Sequence, residues 1–181
     1  KVTAVWSAIV AGVVGLYSRD YSTGNWSPTA KLTNDIGPNT FPRLAASGDG
    51  KLFLAWQSGG AGHTDISCMI RENSHWGKAI KVTEHPASDW EPSVAVNSRG
   101  DAAIAWDSYR HGNYDVFLRS FDGSETGDAI PITSEPTAQF HTSVAVNSED
   151  HVWVAWDDGG RNWGKDFSRS SAAPGSRGLY N

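Results

Sequence analysis

The residues of this chain that can do chemistry gather in three short glycine-containing stretches. QSGGAGHTD carries His63, DSYRHGNYD carries Tyr109, Arg110, His111 and Tyr114, and DDGGRNWGKD carries Arg161, Trp163 and Lys165. Trp90 and His141 stand apart from them in the sequence. Guanidinium, imidazole, phenol and indole groups recognise sugars and carboxylates by ring stacking and by forked hydrogen bonds to anionic oxygens. His63, Tyr109, Arg110, His111, Tyr114, Arg161, Trp163, Lys165 and His141 are therefore the candidate ligand-binding residues. No catalytic residue can be assigned. His63 and His111 lack zinc spacing, and neither an HExxH nor a paired CxxC occurs. Asp107, Asp157 and Asp158 offer the oxygen donors that Ca2+ takes, but no DxDxDG-type loop frames them. No cofactor is expected, with Ca2+ the one ion the donors leave open.

What must position these residues is a repeat. Trp6, Trp56, Trp106 and Trp156 recur every 50 residues, and Phe41–Ser58, Glu91–Ser108 and His141–Asp158 align at that spacing without gaps. The second and third copies share the run SVAVNS and the triplet AWD. Thr33, Thr83 and Thr133 form another column, Trp26 and Trp76 a third, Pro42 and Pro92 a fourth. Within the best-formed copy, residues 93–97, 102–107, 115–120 and 129–133 read as four strands separated by Gly, Asn, Ser and Asp clusters. The first two are small and apolar on both faces, as a sheet covered on both sides requires. A four-stranded unit of about 50 residues cannot bury its own faces and belongs to a β-propeller, whose blades stack around an axis. The fold class is all-β, with four-stranded antiparallel blades. Residues 1–40 read as a partial blade, 41–90 and 91–140 as blades, and 141–181 as a partial blade with an irregular tail, together one propeller domain.

Composition agrees. Of the 181 residues 39% are hydrophobic and 11% aromatic, which excludes a disordered chain, and nine tryptophans against one methionine favour β-structure. A net charge of −5 leaves no basic footprint for a nucleic acid. No apolar run is long enough to span a membrane, and the single Cys68 has no partner for a disulfide within the chain. At 50 residues per blade the chain holds about 3.6 blades, a partial ring, since closed propellers have at least four. Either flanking sequence completes the ring or copies of the chain associate to close it.

The runs PSVAVNSRGDAAIAWD and YDVFLRSFDG resemble the sialidase-type (BNR-like) and TolB-like propeller repeats of bacterial extracytoplasmic proteins. The resemblance covers residues 1–158 and implies an extracytoplasmic location, periplasmic or secreted. The Asp-box turn of sialidase-type blades is matched at Ser120, Asp122 and Thr126 but departs at Ser124 and Gly127. A sialidase would also need an arginine trio, a Tyr–Glu pair and an acid/base Asp. Arg110 and Arg161 occupy suitable loops, Arg43 and Arg119 lie in strands, and no Tyr–Glu pair can be placed. The reading is thus a binding or scaffold propeller that recognises a glycan or a partner protein on its loop face. A glycoside hydrolase or polysaccharide lyase of the same architecture is the alternative.

The repeat also sorts structural residues from functional ones. Trp56, Trp106 and Trp156 are expected between blades, and Asp65 and Asp115 are expected to cap loop amides. Gly50 and Gly100 share the hairpin position that needs positive φ. Arg110, as a loop residue, is expected to cost under about 1 kcal/mol on truncation to alanine.

Overall fold

In the computed structural model, residues 2–34, 37–60 and 62–160 are described; Arg161, Trp163 and Lys165 lie outside them. Among the described residues there is no helix. The first sheet contains β1 (Val2–Val10), β2 (Val13–Ser22), β3 (Asn25–Trp26) and β4 (Ala30–Lys31). The second contains β5 (Asn39–Ala46), β6 (Leu52–Gly60), β7 (His63–Glu72), β8 (His75–Trp76) and β9 (Ile80–Lys81). The third is β10 (Asp89–Val96), β11 (Ala102–Ser108), β12 (Asp115–Phe121) and β13 (Ile130–Pro131), and the fourth is β14 (Gln139–Val146) with β15 (Val152–Asp158). All pairings are antiparallel between neighbours in sequence, apart from a split outer strand. In the second sheet β8 and β9 both pair with β7, and together they are the fourth strand of the blade. β1 aligns with the second strand β6, because Trp6 stands in the Trp56 column.

Each repeat column has a physical job. Thr33, Thr83 and Thr133 are buried, and their hydroxyls accept the amide hydrogens of Leu16, Ile66 and Val116 at 3.0, 2.9 and 2.8 Å. Those amides lie just past the inner end of the outer strand, beyond the last β4, β9 and β13 pairings, where a buried donor without a partner costs about 1–3 kcal/mol. A second column escaped the sequence reading: Asn39, Asp89 and Gln139 are all buried at the start of the first strands. Asn39 Oδ1 accepts the indole N–H of Trp56 at 2.7 Å, and Asp89 Oδ1 accepts that of Trp106 at 3.1 Å. Two residues later, each first strand carries a bulge at which Phe41, Glu91 and His141 take φ of 51°, 43° and 55°. The bulge locally re-aims side chains where first strands of neighbouring blades meet. At the opposite end of these strands, Gly50 and Gly100 adopt φ of 87° and 90° in the hairpins, as the turn demands.

Two apolar clusters bind the blades. Leu16, Leu54, Trp56 and Met69 lie between the first and second sheets, while Phe53, Ile66, Ile104, Trp106, Phe117 and others lie between the second and third. Trp56 and Trp106 are therefore inter-blade residues as expected. Trp156 is not: its ring is 41% exposed, and Trp153 beside it 64%. Among the described residues no third strand stands beside β15 to cover the ring as Phe117 of β12 covers Trp106, so the column position alone does not bury it. The Asp-box turn persists despite its substitutions. Asp122 Oδ1 accepts the amides of Ser124 and Glu125, each at 2.8 Å, and this bonding holds its carboxyl below the usual range.

Candidate functional site

The second-to-third-strand loops and the connections between blades lie together on one face. Tyr109 N–H reaches Ser88 O at 3.4 Å, and Asn113 Nδ2 donates to Glu135 O and Thr137 O at 2.9 and 2.7 Å. These bonds fix the DSYRHGNYD loop against the next connection. They hold Tyr114 5.1 Å from Trp90 and 5.1 Å from Tyr109, centroid to centroid, with all three rings partly exposed. The two tyrosines that the sequence reading singled out in this loop are thus brought against Trp90 from the start of β10.

Arg110 behaves differently. Its guanidinium turns inward, 3.3 Å from both carboxylate oxygens of the fully buried Asp89, and lies over the rings of Phe117 at 4.4 Å and Trp106 at 5.7 Å. Its Nε donates to Ser108 Oγ at 2.9 Å. It is a core counter-ion, and the expectation of an inexpensive truncation is overturned. The reason is Asp89: where the second blade has a neutral Asn39, the third has a carboxylate needing a charged partner. His111 remains outside, with Nδ1 3.1 Å from Asp115 Oδ2. Burial raises the Asp115 pKa, and this bond opposes the shift. Among the described residues neither column aspartate accepts a loop amide with its side chain, in contrast to the expectation. Asp115 is bound to His111, and Asp65 to His63 Nε2 at 3.1 Å, Lys81 Nζ at 3.3 Å and the Thr83 hydroxyl at 3.4 Å.

His141 sits on the third bulge, its Nε2 3.5 Å from Glu91 Oε2 and its Nδ1 3.2 Å from Asp157 Oδ2. Next to this bridge is a group the sequence reading took only for a potential Ca2+ donor. Asp107 is 3% exposed, and its Oδ1 is buried without a hydrogen-bond partner. Burial first, then the negative charge of Glu91, raises its pKa well above the ordinary value, against an amide bond from His141. Its column holds Gln57 and Asp157, so a charge at this position was visible, but not its enclosure. Among the described residues no group of three or more His, Cys, Asp or Glu is arranged to hold a metal.

No protein-family model matches the chain, and no curated protein matches it in sequence. Solved structures do. The chain is similar to a Hadza microbial sialidase (TM-score 0.54, 12% identity, covering 85% of this chain and 42% of that one). It is also similar to the α-L-arabinanase of Penicillium chrysogenum complexed with arabinobiose (TM-score 0.57, 13% identity, 84% of this chain and 52% of that one). A third similarity is to TolB from Acinetobacter baumannii (TM-score 0.50, 18% identity, 84% of this chain and 37% of that one). The chain spans about half or less of these proteins. The fold is a sialidase- and TolB-like β-propeller, present here as an unclosed arc of blades.

Proposed function

We propose that this chain is part of a glycan-binding β-propeller whose loop face engages sugar rings. The observation that carries the reading is the cluster of Trp90, Tyr109 and Tyr114, three partly exposed rings in which Tyr114 lies 5.1 Å from each of the other two, held by bonded loops. Aromatic faces offer rigid apolar area at little entropic cost, and flat sugar faces stack on them. His111 stands exposed in the same loop as a donor, and His63 and His141 extend the polar surface. Arg161, Trp163 and Lys165 belong to the proposal through their sequence alone. Arg110 enters it as the residue that braces the loop from beneath. The sialidase and the arabinanase bear names of carbohydrate-active proteins, which supports a glycan over a protein partner. An extracytoplasmic location accompanies this reading. No helix among the described residues is long and apolar enough to cross a membrane.

The test is a glycan array read beside a panel of fluorogenic glycosides. Binding that falls at least about tenfold in Trp90→Ala and Tyr109→Ala, without turnover in either, supports the binding reading, and loss in Trp163→Ala would extend the site to the tail. A hydrolase is the second reading, favoured by Asp107. A buried carboxyl whose pKa is raised by its enclosure and by the nearby Glu91 is one half of the carboxyl pair from which a general acid and a base are made. Turnover abolished by Asp107→Asn and by Glu91→Gln would replace the binding reading with this one.

A further inference from the structure

The cleft between two adjacent blades occurs twice within the described arc, and the two copies differ in the side chains that fill them. Between the second and third blades it is filled. Arg110 and Phe117 stack within it, and the Arg119 guanidinium reaches across to the carbonyl of Val82. Fifty residues earlier, the same three positions are Gly60, Ser67 and Met69. The cleft between the first and second blades is consequently open, a cavity of about 710 Å3 on the loop face. A side chain at Gly60 would meet nothing within 4 Å.

The open copy is also basic in an acidic chain. Among the described residues it is lined by His63, Lys78 and Lys81 against one carboxylate, that of Asp65, which already accepts bonds from His63 and Lys81 at 3.1 and 3.3 Å. In the filled copy, the positions of Lys78, Lys81 and Asn34 are Asp128, Pro131 and Glu84. Lys78 has no carboxylate within ion-pair distance among the described residues, and its exposed ammonium stands at the cleft wall. Beside the cations lie neutral groups suited to hydroxyls: the paired hydroxyls of Ser58 and Ser67, 2.8 Å apart, and the Asn34 amide. Ligand sites of this size combine a few convergent polar groups with an apolar wall, here supplied by Trp56 and Met69.

We propose that this cleft binds a carboxylate-bearing sugar, a hexuronate unit, with the carboxylate toward Lys78 and Lys81 and the ring hydroxyls toward Ser58, Ser67 and Asn34. The site shares no residue with the Trp90–Tyr109–Tyr114 cluster and does not rest on that cluster binding anything. Titration of the whole chain with glucuronate, glucose and inorganic phosphate, followed by calorimetry or ligand-observed NMR, tests it. Glucuronate is expected to bind at least about tenfold more tightly than glucose or phosphate. Binding should fall by about tenfold or more in the Lys78→Gln/Lys81→Gln variant and vanish in Gly60→Arg/Ser67→Phe, which rebuilds the filled copy. Trp90→Ala should leave it unchanged, which separates this site from the loop-face reading. Equal binding of glucose overturns the charge argument, and equal binding of phosphate overturns the sugar. Absence of glucuronate binding by the folded chain overturns the proposal. If the filled variant does not fold, the double lysine variant decides alone, and undiminished binding there refutes the site.

Discussion

Asp89 meets the Arg110 guanidinium in a position with no solvent exposure, and the third blade is arranged around that pair. Trp106 N–H and the Arg110 fork are the partners of Asp89. Removing one member of a buried pair leaves the other uncompensated, so Arg110→Ala should cost about 3–5 kcal/mol in urea melts. The paired change Asp89→Asn/Arg110→Met should recover most of it, because the second blade already shows an asparagine holding its tryptophan. Recovery of nothing would mean that Arg110 acts by packing on Phe117 alone. Asp107 presents the opposite case, a buried carboxyl short of partners. Its folded pKa is raised above the ordinary 3.8, so between that value and the raised one the folded state holds the extra proton. Stability therefore falls as pH rises through this window and stays lowered above it. Asp107→Asn should raise the melting temperature at pH 8 by about 2–4 °C for each kcal/mol recovered and leave it nearly unchanged at pH 3. An equal shift at both values would rule out ionisation as the cause.

Where the outer strand of a blade ends, beyond β4, β9 and β13, the buried threonine column takes over its hydrogen bonding to the third strand. Thr83→Val preserves shape but leaves the Ile66 amide without its acceptor, and an expected loss of about 1–3 kcal/mol follows. Thr83→Ser, which keeps the hydroxyl, should lose markedly less. Equilibrium unfolding of the two variants side by side distinguishes the hydrogen bond from the lost methyl. The first strands make a different trade. Their bulges place a non-glycine residue at positive φ in three blades out of three, a conformation costing on the order of 1–3 kcal/mol, and in return bring Glu91 within reach of His141 on the next blade. Strain repeated at one column beside an enclosed carboxyl marks the inner strands as a place to look for chemistry.

Across the arc, identical column residues acquire different energetics from what lies against them. Trp106→Ala should cost about 3–5 kcal/mol, the range for a large buried aromatic, whereas Trp156→Ala should cost under about 1. Trp153, 64% exposed on the face of β15 opposite to Trp156, offers an apolar surface suited to pairing. Sedimentation of the 181-residue chain should accordingly depend on concentration, and Trp153→Ser should reduce that dependence. A concentration-independent monomer would contradict self-association through this face. Gln139 fits the same picture: its Nε2 is spent on Thr137 and Asp158, and its Oε1 is buried without a partner where Asn39 and Asp89 hold an indole.

The repeat, the all-β class and the inter-blade role of Trp56 and Trp106 were legible in sequence because a 50-residue period repeats the same local geometry, and a column position states which way a side chain points. The threonine column was equally visible, and its chemistry follows once the end of the outer strand is placed. Contacts between copies were not legible. Asp89 and Arg110 are 21 residues apart, and their pairing depends on how a loop folds back over β10; the sequence alone makes Arg110 look like a free loop donor. The Trp90 platform and the Glu91–His141 bridge likewise join different elements or blades. The open cleft was hidden for the same reason. Gly60, Ser67 and Met69 are unremarkable where they stand, and only blade packing turns three small or flexible side chains into a cavity. Periodicity fixes what each blade repeats, while the stacking of one blade on the next decides which departures from the repeat meet in space.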